Sequence, residues 1–122
     1  MNPKLSLFEE TNIRKIYKNN KWYYSLNDFL NYYLDISNPA DYLNKLKDKD
    51  SYLKENWVNL TININMLTKD NKVRKTICTD NVGILRIIEN INLPKLDNFK
   101  IWLARLGAER IEEINNPKFI KK

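Results

Sequence analysis

The sequence predicts an α+β fold: two β-hairpins packed with about four helices in a single compact domain, 1–122, whose core spans about 8–117. Three observations predict it. An Asn-Asn pair at 19–20 divides two β-rich runs, and a clean two-residue alternation runs through 59–66. Elsewhere, apolar residues recur at helical spacing behind residues that cap helices well. A chain of 122 residues, 43% of them hydrophobic, suits one core.

The run 5–17 is β-rich, and Trp22, Tyr23 and Tyr24 resume it after Asn19-Asn20. Asparagine tolerates the left-handed backbone of a tight turn, so a hairpin is expected there, with Trp22 and Tyr24 on the core. Ser25, with Asp28 three residues on, resembles a capping box with Asp in place of Glu. Leu26, Phe29, Leu30, Tyr33 and Leu34 follow at helical spacing. A break at 35–37 leads to a second start, with Asn38 as N-cap, Pro39 at the first helical position and Asp41 in the first turn. Two short helices so joined form a helix-turn-helix-like arrangement.

In 59–66, Leu60, Ile62, Ile64 and Met66 take one face and Asn59, Thr61, Asn63 and Asn65 the other, which is the pattern of a half-buried strand. Turn chemistry at 69–72 and a returning strand at 73–79 complete the second hairpin. Asp80 caps a third helix, in which Ile84, Leu85, Ile87, Ile88 and Ile91 cover nearly half the circumference; it is expected to be the most buried. The last helix starts at Pro94 and ends near Ile114, with Leu96, Phe99, Trp102, Leu103, Leu106 and Ile114 in one stripe. Gly107 lies on that stripe, where a missing side chain permits close helix packing at roughly 1 kcal/mol of helix propensity relative to Ala. Arg110 projects toward the stripe and, if partly buried, needs an ion-pair partner.

Composition narrows the function. Lysine and arginine exceed aspartate and glutamate by 21 to 15, a net +6 that favours a polyanionic partner. The chain has no histidine and one cysteine, Cys78, at a strand end, where a buried structural thiol is expected. Those counts remove His-based triads, His-containing zinc sites and intrachain disulfides, so no cofactor or metal is expected. The only glycines, Gly83 and Gly107, do not form a phosphate loop, and Glu9-Glu10 and Glu112-Glu113 are adjacent pairs that do not share a helix face. An enzyme is not expected. With no signal peptide and no apolar run of membrane-spanning length, a cytoplasmic protein is.

Residues 79–91, followed by Pro94-Lys95, Phe99-Lys100-Ile101-Trp102-Leu103-Ala104-Arg105-Leu106-Gly107, Glu109-Arg110 and Ile111-Glu112-Glu113-Ile114, resemble the C-terminal half of Bro-N domains. These occur in baculovirus repeated-ORF proteins, phage antirepressors and DNA-damage-inducible D-type proteins. Ile13-Arg14, Trp22-Tyr23-Tyr24-Ser25 and Asn38-Pro39 fit the N-terminal half, so the resemblance covers about 8–117. One departure is Leu93, where family members often carry a serine that caps the last helix. The resemblance implies an α+β fold, DNA-associated roles in antirepression, viral gene regulation or the DNA-damage response, and no catalytic residues.

Three groups could meet nucleic acid. In the helix opened by Asn38-Pro39, Leu43 and Leu46, with Ala40, should face the core. Tyr42, Lys45 and Lys49 run along one flank and Asp41, Asn44 and Asp48 along the other. A basic-aromatic flank suits phosphate contact; the alternative is an ordinary solvated face. Lys69, Lys72, Arg74 and Lys75 crowd the second hairpin's tip, as phosphate ligands or as protection of a sheet edge. Arg14, Lys15, Lys18 and Lys21 lie on the first hairpin, with Arg14 and Lys15 on opposite faces. Two functions remain open. One is a phage- or virus-type DNA-binding regulator using a basic surface built from the second helix and a hairpin. The other is a protein-binding antagonist of a repressor or of a host defence or repair nucleoprotein, with Ile101, Tyr23, Tyr32 and Tyr42 at its interface.

Overall fold

The structure is a computed structural model and describes residues 12–116. The expected α+β class is the one observed: among the described residues, five helices accompany a four-stranded antiparallel sheet. The chain divides into two units, Leu7–Ile91 and a second that contains the C-terminal helix. Among the described residues, no helix is long and apolar enough to cross a membrane.

In the first unit, β1 (Lys15–Lys18) and β2 (Lys21–Ser25) form the expected hairpin. Asn19 and Asn20 both take positive φ, 54° and 64°, the geometry of a two-residue turn matched to strand twist. The rest of the β-rich run, up to residue 11, lies outside the described residues. Strand β3 (Thr61–Leu67) pairs with β4 (Val73–Thr79), and the sheet order is β1-β2-β4-β3. Ile64, Met66 and Cys78 form a buried cluster with Tyr23 and Ile62 against it. Burial pushes the Cys78 thiol up to about 11, as befits a structural cysteine.

Two strand expectations need correction. Asn59 and Leu60 are helical, and β3 begins at Thr61. There the Thr61 N–H and hydroxyl both reach the Trp57 carbonyl, closing a helix whose last residues happened to fit a two-residue period. Trp22 is 43% exposed instead of sitting in the core. Its strand meets β4 only at Tyr24 and Ser25, so Trp22 is flanked by the exposed edge strand alone. Tyr24 is buried as expected.

Helix α1 (Leu26–Asp28) runs into a π turn (Phe29–Tyr33), with Leu26, Phe29 and Leu30 fully buried. Ser25 accepts the Asp28 N–H, but the reciprocal half of the capping box is absent. The Ser25 N–H donates to the Arg14 carbonyl, and the Asp28 carboxylate is held by Arg14. Asp35, at φ 59°, makes the break. Asn38 caps α2 (Pro39–Lys49), which packs on α1 and on α3 (Ser51–Leu60), a helix not among the expected elements. Leu43 and Leu46 are buried; Ala40 is exposed, because the packed face begins only at Leu43. Asp50 ends α2 and caps α3 by accepting the Leu53 N–H. Burial works against its ionisation, but that hydrogen bond and Arg86 outweigh it and lower its pKa.

Asp80 caps α4 (Asn81–Ile88) through the Gly83 N–H, and Ile84, Ile87, Ile88 and Ile91 are fully buried. In the second unit Leu93 supplies no side-chain cap. The chain from Pro94 accordingly starts as a tight 3₁₀ turn (Pro94–Leu96) before α5 (Asp97–Asn115). Leu96 and Phe99 are buried, and Trp102 and Leu103 are half-buried. The rest of the stripe is not: every residue from Ala104 to Asn115 is exposed, Leu106 and Ile114 included. Arg110 has its expected ion pair, with Glu113 at 2.6 Å, but on the surface.

Candidate nucleic-acid interface

The β3–β4 hairpin ends in a rigid turn. The Thr68 N–H donates to the Lys72 carbonyl at 2.7 Å, and the Asn71 N–H donates to the Thr68 carbonyl at 3.0 Å. Asn71 takes a left-handed φ of 63°. The Thr68 hydroxyl bonds the Asp70 carboxylate and lowers its pKa, so the turn carries one fixed negative charge. Arg74 leans toward that charge at 3.7 Å, while Lys69 places its ammonium 4.9 Å over the Tyr32 ring. Lys72 and Lys75 are exposed. Opposite Lys75 on β3 stands Asn65, an exposed amide on the same face. The arrangement offers ammonium groups and an amide on a stiff two-stranded ribbon, which suits phosphate and groove-edge contacts.

Arg14 lies beside this turn but in another role. Its Nε bonds Asp28 at 2.7 Å, one terminal nitrogen reaches the other Asp28 oxygen at 3.2 Å, and the second donates to the Leu67 carbonyl at 3.1 Å. The hydrogen bond to Asp28 raises the guanidinium pKa further. Arg14 is therefore a brace tying the segment before β1 to α1 and to the end of β3. With Asn12, Asp28, Tyr32, Leu67, Thr68 and Lys69 it lines a cleft of about 350 Å³. Of the candidate residues, the structure brings Arg14 and Lys69 together in this cleft, with Lys72, Arg74 and Lys75 on the hairpin that forms its wall. Tyr42, Lys45 and Lys49 do not line it.

Those three lie on α2. Tyr42 is half-buried, which raises its phenol pKa, and so it offers only part of its ring to a ligand. Lys45 pairs with Asp41 at 3.1 Å, so the basic and acidic flanks expected to be separate are joined across one turn. Lys49 is exposed in the last turn, where a cation also suits the helix dipole.

The first hairpin carries an exposed aromatic-basic cluster around Trp22, a residue expected in the core. Tyr17 and Trp22 are cross-strand partners, their rings edge-to-face at 5.3 Å, and Lys15 lies 5.1 Å over the indole. Tyr17 is 57% exposed. Lys18 and Lys21 are directly opposed, a like-charge pairing that Lys21 relieves by reaching Asp80 at 3.3 Å. The spacing of a two-residue turn at 19–20 already places 17 opposite 22 and 18 opposite 21, and that was the signal available. An exposed aromatic pair among cations can stack on an unpaired base, in addition to steadying the hairpin.

The sheet fixes where the two clusters lie. Antiparallel pairing of β2 with β4 points the two turns toward opposite ends of the sheet. About ten residues of strand separate them, roughly 30 Å at 3.3 Å per residue. A ligand touching both must be long.

A comparison with protein-family models matches residues 12–113 to the BRO family, N-terminal domain. No curated protein and no solved structure matches the chain. The capped helix starts, the buried isoleucine helix and the Phe-Lys-Ile-Trp-Leu-Ala run of α5 all fall inside the matched segment, and the chain belongs to the BRO family through this N-terminal domain.

Proposed function

We propose that the chain is a DNA-associated regulatory module of the viral or phage antirepressor type, a cytoplasmic binding protein and not an enzyme. It contacts nucleic acid mainly through basic side chains. The observation that carries this reading is the β3–β4 end, where exposed Lys72 and Lys75, with Lys69 and Arg74, ride on a hydrogen-bonded turn. Family membership favours the same class of partner. The basic surface moves accordingly: the hairpin is its principal part, and α2, with Lys45 tied to Asp41, is secondary.

The test is binding to fluorescent duplex and single-stranded DNA of mixed sequence at low salt. Lys72→Glu with Lys75→Glu is expected to weaken binding at least tenfold, and Lys45→Glu with Lys49→Glu by less. Undetectable binding by the unaltered protein would overturn the proposal. The second reading, a protein-binding antagonist, is favoured by the exposed Ile101, Leu106, Ile111 and Ile114 of α5. A stoichiometric protein partner that survives nuclease and high salt would support it.

A further inference from the structure

The first hairpin overhangs the sheet. Strand β2 pairs with β4 only at Tyr24 and Ser25, and β4 ends at Thr79, where the chain turns into α4. The outer half of the hairpin and the start of α4 therefore stand apart, and a cleft of about 270 Å³ opens between them. Tyr17 and Trp22 line it from the hairpin and Val82 from the helix. Each side also adds an amide, Asn20 from the turn and Asn81 from the first position of α4. Steadying the hairpin accounts for the contact between the two rings. It does not account for Val82, which belongs to another element and is 71% exposed. One exposed apolar side chain is ordinary, but three from two elements around a single opening form a patch.

The charges indicate what fills the cleft. Lys15, Lys18 and Lys21 all lie on this hairpin. Among the described residues lining the cleft, Asp80 is the one carboxylate, and it already accepts the Gly83 N–H and the Lys21 ammonium at 3.3 Å. The Lys21 side chain is still well exposed, and an ammonium has three N–H groups, so it can hold a second anion. Lys18 stands directly opposite Lys21, and an anion between them would relieve that like-charge pairing. Lys15 lies over the indole but does not line the cleft, so it leaves the ring surface toward Val82 accessible. The partner is therefore flat and apolar, with a hydrogen-bonding edge and an attached negative charge. A nucleotide has that chemistry. A base paired within a duplex hides its faces, whereas an unpaired one can stack.

We infer that the cleft holds one unpaired nucleotide of a single-stranded segment. The base stacks on Trp22 beside Val82, its edge meets the Asn20 and Asn81 amides, and its adjoining phosphates meet Lys21 and Lys18. This site is separate from the β3–β4 turn. It rests on the proposed function only in taking nucleic acid as the partner.

The test is fluorescence anisotropy of the whole chain with a labelled thymidine strand of roughly eight nucleotides, a length within the range of single-strand sites. The control is a strand of equal length and charge that lacks every base. The thymidine strand is expected to bind at least about fivefold tighter, the lower end for one stacked base. Val82→Glu, at an exposed position outside the hairpin, should remove most of that preference while far-UV circular dichroism and Tm hold. Trp22→Ala should do the same, and Trp22→Phe should keep part of it. Thymidine monophosphate should displace the strand only at much higher concentration; equal potency would assign the cleft to a free nucleotide and overturn the inference. Equal binding of the two strands, or a preference untouched by Val82→Glu, would also overturn it and leave duplex binding through Lys72 and Lys75 standing. No binding to either strand or to duplex would overturn both readings.

Discussion

The chain has two glycines, and both lie in helices, Gly83 in α4 and Gly107 in α5. Gly83 is buried where α4 begins. A Cβ there would collide with the Thr79 hydroxyl and come within 2.9 Å of the Leu60 carbonyl, two groups already joined by a 2.6 Å hydrogen bond. Gly107 sits in open space. The helices around them differ in the same way: the isoleucines of α4 are fully buried, and those of α5 are at least half exposed. One apolar helix anchors a core and the other presents a surface. Similar hydrophobic periodicity therefore serves stability in one place and remains available for binding in the other.

Substitutions at matched positions can break that contrast. The largest effect is expected from the isoleucines: Ile87→Ala should cost about 2–5 kcal/mol, and Ile111→Ala should stay within about 0.5 kcal/mol, read from urea unfolding. Next come the glycines, where the same change should act with opposite signs. Gly83→Ala should destabilise by about 2–4 kcal/mol, through overpacking and loss of the Thr79–Leu60 hydrogen bond. Gly107→Ala should stabilise by up to about 1 kcal/mol. Equal effects at the two glycines would contradict the description of either helix.

A smaller effect is expected from pH. The folded state holds the Cys78 thiol at about 11, above its ordinary value, so it favours the protonated form. The resulting stability is fully present below the ordinary thiol pKa and is lost as pH rises through about 11. Tyr24 and Tyr42, also raised by burial, add a loss of the same sign. Cys78→Ala should flatten the decline of Tm with alkaline pH without removing it. An unchanged slope would show that the thiol does not contribute.

Much of this contrast could be read from the sequence, and the remainder could not, for identifiable reasons. Helix starts at Ser25, Asn38 and Asp80 and the turn at Asn19-Asn20 depend on bonds between near neighbours, which the residue types declare. The isoleucine stripe of α4 was equally plain. Helix α3 was not among the expected elements; only its last two residues, Asn59 and Leu60, fell within the alternating run assigned to a strand. For α5, periodicity identified which residues share a face but not whether anything covers it. The site divides along the same line. Crowding of Lys69, Lys72, Arg74 and Lys75 at one turn is local and was visible. The engagement of Arg14 with Asp28 and Leu67, the Lys69–Tyr32 contact and the exposure of Trp22 all depend on which strands become neighbours.

The central claim is that the β3–β4 end meets phosphates, and the salt dependence of DNA binding tests it most directly. Log affinity for a mixed-sequence duplex should fall linearly with log salt, with a slope of roughly −0.9 per phosphate neutralised. In the Lys72→Glu, Lys75→Glu variant the slope should shrink in magnitude by roughly 2, as two phosphate contacts are lost. A slope left unchanged by that variant, or no binding at low salt, would contradict the account.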